Sequence, residues 1–319
     1  MQNKLEPSPA MHAHEQPEQK PMTHPLEVNS TVTPSFAVTE ALMGKPLAVA
    51  ASGRHIPTIA NSALKAAATS WFVVAALGQL MFVVYLFGFY GSTAVRGQFE
   101  TWNKVLIRGY VAGDTMGNLV VSMHLAFAVL ITVGGVLQLT TGVRRLLPTF
   151  HRWNGRVYLL SACVMSLGGL VMMWTGRGPG DLSQHVATSI NAVLILVCAI
   201  MVLRHALARR FVLHRRWALR LFLVVSGVWF FRIGLTFWIM LNQGPVGFDP
   251  DTFVGPALTI IAFAQYLLPL AILQLYFLTQ DRAGSHGHLV MASGLFASTL
   301  FTAVGIVAAS MMLWLPHLR

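Results

Sequence analysis

The sequence predicts an all-α integral membrane protein with about seven transmembrane helices and a four-helix core, spans two to five, made of two repeated hairpins. Three observations carry this. The 319 residues are 55% hydrophobic and only 10% charged, against roughly 25% charged residues in a soluble chain. Seven mainly apolar runs of 22 to 27 residues each match the ~20 residues that cross hydrocarbon. Arginines crowd into alternate short loops, the pattern that fixes a multi-pass chain in the membrane.

Residues 1 to 68 are rich in Pro, Glu, Gln, Ser, Thr and His, a composition that buries too little surface to offset chain entropy. They read as a flexible cytoplasmic tail, in which His12, His14 and His24 bind metal only adventitiously. No apolar core follows a basic start within the first 40 residues, so the first apolar run serves as the insertion signal. The transmembrane domain covers residues 69 to 315, as spans 69–91, 117–141, 153–174, 185–207, 217–241, 253–279 and 289–315. Backbone groups in lipid must be satisfied within the segment, which makes these helices.

Loop charge orients them. Arg144, Arg145 and Arg152 lie between spans two and three, and Arg204, Arg209, Arg210, Arg215 and Arg216 between four and five. Both loops are expected in the cytoplasm, with the tail inside and the C-terminus outside a plasma (inner) membrane. The formal charge of +11 is thereby directed at anionic lipid rather than nucleic acid. The loop 92–116, which contains FETWNKVLIRGYV, reads as an amphipathic surface helix. Cys163 and Cys198 both fall inside apolar runs and offer neither a disulfide framework nor a zinc site.

An internal repeat carries the chemistry. Span two opens with His124 and leads through Arg144 and Arg145 to HRWNGRVY, His151 to Tyr158; span four opens with His185 and leads through Arg209 and Arg210 to HRRWALRLF, His214 to Phe222. The His-to-His separations are 27 and 29 residues, and the copies are offset by 61 to 63. This places His124 with His185 towards one face and His151 with His214 at the other. Facing side chains in a four-helix bundle hold cofactors, and two imidazoles filling both axial positions of a haem favour electron transfer. Two b-type haems are expected, with the four histidines on iron. Electron donor and acceptor stay unidentified. Helix-end histidines reaching for headgroups are the plain alternative, and with it a non-redox transporter, sensory or structural protein.

Arg232 lies inside span five, where a charge is expensive enough to suggest function; it is expected either to pair with a haem propionate or to snorkel to headgroups. Arg152, Arg156 and Arg216 flank the second histidine pair and are candidates for propionates there, beside the simpler reading of lipid contact. Tyr158 and Trp153 suit an aromatic belt, and Gln79, Gln138, Asn191 and Gln265 suit hydrogen bonds between helices. His286 and His288 read as interfacial. No Asp or Glu falls in a predicted span, which removes the carboxylate relays of proton-coupled transporters. No phosphate-binding glycine loop or zinc-protease helix is present either.

The His at the head of a span, the His-Arg-x-x-Gly-Arg-x-Tyr block and the His-Arg-Arg-Trp-x-x-Arg block resemble the domain of unknown function 2306 family of prokaryotic membrane proteins, over about residues 117 to 241. The family implies no activity. In plan the four histidines are also similar to the ascorbate-linked transmembrane b cytochromes, which implies His124 with His185 and His151 with His214 as ligand pairs.

Overall fold

The computed structural model describes residues 59–318. Among them every regular element is helical, apart from one isolated bridge between Asp249 and Val254. Helix α1 spans Ile59–Tyr85 and runs on through a π-helical turn, Leu86–Gly91, into Ser92–Val95. Then come α2 (Thr115–Leu139), α3 (Pro148–Trp174), α4 (Leu182–Leu207), α5 (Phe211–Val225), α6 (Gly227–Asn242), α7 (Pro256–Arg282) and α8 (Ser285–Ala309). Among the described residues six helices are long and apolar enough to cross a membrane, and α5 with α6 makes a seventh span if that bent pair is counted as one. The protein is an all-α integral membrane protein.

The expected tail lies outside the described residues as far as residue 58, and its three histidines with it. Residues 59 to 68, also assigned to the tail, belong instead to α1. Ala and Lys are strong helix formers there, and Ala60, Leu64 and Ala67 are buried, the last two in a cluster with Ala292 and Leu295 of α8.

Polar caps start the two repeated helices. Asp114 accepts from the Gly117 amide at 2.9 Å and Asp181 from the Gln184 amide at 3.1 Å, each cap contributing about 1 kcal/mol. Proline opens α3 and α7, where its missing N–H costs no bond.

The fifth span is bent by 51° between α5 and α6. A Ser-Gly pair, Ser226 and Gly227, sits at the break, and such pairs are a recurrent cause of sharp kinks. The Ser226 hydroxyl donates to the Phe222 carbonyl at 2.8 Å and accepts from Gln79 Nε2 at 2.9 Å.

In the loop 92–116, expected as an amphipathic surface helix, Ser92–Val95 continues the first span, Phe99–Lys104 is a 3-10 turn and Thr115 opens α2. Trp102 is only 3% exposed and donates to Thr93 Oγ1 at 2.9 Å. Gly97 and Gly113 adopt φ of +70° and +82°, which end any helix on either side. Burial of the indole, not an interfacial moment, decides this loop.

Helix α2 packs on α3, α3 on α4 and α4 on α5, and a lighter contact returns α5 to α2. In that ring α2 stands across from α4, and α3 from α5. Its interior is a packed cluster including Ile131, Tyr158, Cys198 and Leu221. Helix α7 covers α4, and α1 lies along α8, which packs on α6. The four-helix core of two hairpins is therefore present, with the second half of the fifth span turned away from it.

Candidate functional site

The clearest symmetry lies at the arginine-rich end of the ring. His151 is the fourth residue after the N-cap Leu147 of α3, and His214 the fourth after the N-cap Arg210 of α5. Each donates its backbone N–H to that cap's carbonyl at 2.9 Å. The two imidazoles thus begin facing helices at the same register.

Their ring nitrogens differ in their partners. The His214 Nδ1 lies 3.1 Å from the Val202 carbonyl of α4; a bond there places the proton on Nδ1 and leaves the Nε2 lone pair available, the tautomer in which imidazoles bind metal. The His151 Nδ1 is buried without a partner among the described residues. Gln138 holds the His151 carbonyl at 3.1 Å and accepts from Asn154 Nδ2 at 2.9 Å, fixing the start of α3 against α2.

The opposite end is less symmetric. His185 follows its cap Asp181 by four residues, but His124 follows Asp114 by ten, so six residues, or about 9 Å of helix rise, separate their positions relative to the caps. Helix α3 reports the same offset. His124 lies beside Gly168 and Gly169, where an added Cβ would meet its ring at 3.9 and 3.7 Å, whereas His185 packs edge-on against Trp174 at 5.8 Å. Both carry a buried ring nitrogen without a partner among the described residues, Nδ1 of His124 and Nε2 of His185.

His124 instead shares a cavity of about 160 Å³ with Arg232, between α1, α2, α3 and the α5–α6 bend. Arg232 donates to the Val228 carbonyl at 3.3 Å and stacks over Phe82 at 5.3 Å. Among the described residues it has no carboxylate partner, since the two ion pairs there join Arg177 to Asp114 and Arg216 to Asp281.

The arginines flanking the paired histidines turn elsewhere. Arg216 pairs with Asp281 at the end of α7 and lies over Phe277 at 5.0 Å. Arg152 donates to Thr149 at 3.2 Å, and Arg156 stacks on Trp153 at 4.7 Å; both are exposed. Trp153 suits an interfacial belt, but Tyr158 is buried in the ring. Of the four intramembrane amides, Gln79, Gln138 and Asn191 bond across helices, while Gln265 donates within its own helix, to Ala262. His288 bonds Asn61 Oδ1 at 2.5 Å and the Thr279 carbonyl at 3.1 Å. Trp229, which also lines the cavity, carried no sequence signal beyond its position next to the Ser-Gly pair.

Residues 121–277, which hold all four histidines and both arginine-bearing blocks, match the family described as Predicted membrane protein (DUF2306). Residues 121–277 belong to this family. No curated protein and no solved structure matches it. Membership in DUF2306 agrees with the membrane-spanning helices, and the matched segment runs from the second span into the seventh helix, α7.

Proposed function

We propose that this protein is a plasma-membrane electron carrier that holds b-type haem between paired histidines of the four-helix ring. The observation that supports it best is the matched placement of His151 and His214, with the Nδ1 of one bound to a carbonyl and the Nδ1 of the other buried and unpartnered. Orphaned buried ring nitrogens are costly unless something binds them. A haem with two imidazole ligands supplies one-electron transfer without an open site for a gas ligand. The chain's own part is to hold the two rings in facing helices and to fix the His214 tautomer through Val202. Arg144, seven residues before His151 in the sequence, is the cation this reading offers to a propionate.

A second haem between His124 and His185 fits less well. The two positions differ by about a turn and a half along their helices, and His124 faces a cavity of about 160 Å³, well below the roughly 300–1,000 Å³ of ordinary cofactor pockets. The competing reading, a non-redox membrane protein whose arginine-rich loops contact anionic lipid, draws on the engaged positions of Arg152, Arg156 and Arg216. The orientation that goes with either reading puts the arginine-rich end in the cytoplasm, and reporter fusions at the C-terminus check it.

The deciding experiment is a reduced-minus-oxidised spectrum and pyridine haemochrome assay on protein expressed with ample haem. A b-type spectrum lost on both His151→Ala and His214→Ala is expected. A colourless wild-type protein sinks the reading.

A further inference from the structure

The cavity beside Arg232 holds more unpaired polarity than apolar packing explains. Gln79, Trp229 and Tyr158 are 2%, 4% and 5% exposed, and each carries a buried atom without a partner among the described residues: Oε1, Nε1 and the phenol oxygen. His124 Nδ1 is a fourth such atom, and all four residues line the cavity with Arg232. One buried polar orphan costs about 1–3 kcal/mol. Several converging on one space mark a ligand site.

The chemistry of the lining narrows the ligand. Trp229 N–H and the Arg232 guanidinium are donors only and the Tyr158 hydroxyl is a ready donor, whereas Gln79 Oε1 only accepts, so the space calls for a ligand with oxygen acceptors that gains a hydroxyl donor when reduced. Along α2 the cavity runs from Val121 to Thr132, about 16 Å of helix rise. Tyr158 stands at its deep end, beside Gly134 and Gly135; His124 and Arg232 stand nearer the other. Donors at two levels with apolar walls between, such as Phe82, match a flat ring bearing an oxygen at each end. A carboxylate carries both oxygens at one end. The volume of about 160 Å³ is that of a single six-membered ring, since a cavity of about 150 Å³ accommodates benzene.

We infer that this cavity binds the ring of a membrane quinone or quinol, its oxygens meeting Tyr158 at one level and Arg232 with Trp229 at the other. As the carrier's electron partner this ligand rests on the haem reading; its binding rests on the cavity alone.

Duroquinone titrated into the full-length protein in detergent tests it by tryptophan fluorescence, because Trp229 lines the site. Saturable quenching is expected, with half-saturation about tenfold weaker in Tyr158→Phe and in Arg232→Gln, the loss of one good hydrogen bond apiece. Tyr158→Phe removes a single oxygen and keeps the packing, which guards against misfolding as the cause. Quenching that never saturates, affinity unchanged in both variants, or displacement of duroquinone by equimolar decanoate would each overturn the proposal. The titration is run on haem-free and haem-loaded protein, so a colourless protein that binds duroquinone refutes only the haem reading, and a coloured one that does not refutes only this one.

Discussion

His214 Nδ1 and the Val202 carbonyl, 3.1 Å apart, tie the first turn of α5 to the last turns of α4. That bond has a structural role and a tautomer-setting one, and the two separate by substitution. An asparagine at 214 keeps an N–H donor near Nδ1 but offers iron nothing in place of Nε2. His214→Asn is expected to melt close to wild type and to lose the absorbance assigned to this haem. His214→Ala loses the absorbance and about 1 kcal/mol besides. Thermal melting and a Soret spectrum on the same samples check it; retained colour in His214→Asn would remove His214 from the ligand set.

Close backbone approach between α8 and α6 gives a second prediction. A Cβ on Gly305 would meet the Ile233 carbonyl oxygen at 3.0 Å and the Ile233 Cβ at 3.3 Å, and backbone cannot swing aside as a side chain can. Gly305→Ala is expected to destabilise by about 1–3 kcal/mol. Gly294, on the same helix, has open space where its Cβ would stand, so Gly294→Ala should be neutral or stabilising by up to about 1 kcal/mol. Melting temperatures of the pair decide it, and equal effects would mean the helices pack elsewhere.

The third prediction concerns pH. Hydrogen bonding from Arg177, then from the Gly117 amide, holds the Asp114 carboxyl below its ordinary value. A depressed folded value means the contact's stability is fully present above the ordinary carboxylate range and is lost as pH falls through the folded value. Arg177 also donates to the Arg108 carbonyl at 3.0 Å, so the loop before α2 should loosen in acid. Hydrogen exchange of amides 108–118 between pH 6 and about pH 3 reads this. Asp114→Asn should show fast exchange there at both pH values, and a pH-independent wild type would refute the contact.

How much of this was legible in the sequence depended on whether one residue or many carried the signal. Run length and loop arginines sum over dozens of residues, and six of the seven spans they predicted are each found as one long helix, the fifth being the bent pair α5 and α6. The register of His151 and His214 was legible too, because both blocks begin their helices four residues after the cap. The offset of His124 was not: it depends on where Asp114 caps α2, and the loop before it is shaped by the burial of Trp102 and the reach of Arg177 across from another loop. The 51° bend was written only in the pair Ser226 and Gly227, which an uninterrupted apolar run conceals. The cavity had no local sequence signal, since Gln79, His124, Tyr158 and Trp229 come from four different helices.

That bend has a consequence for how the two ends of the protein tolerate change. On the arginine-rich side of Ser226 the fifth span completes a near-symmetric clamp, in which a substitution on one hairpin has a counterpart on the other. On the far side the same span serves α8, and the space it vacates is a vestibule with no symmetry mate. Variation in related chains should therefore come in matched pairs at one end and in isolated changes at the other.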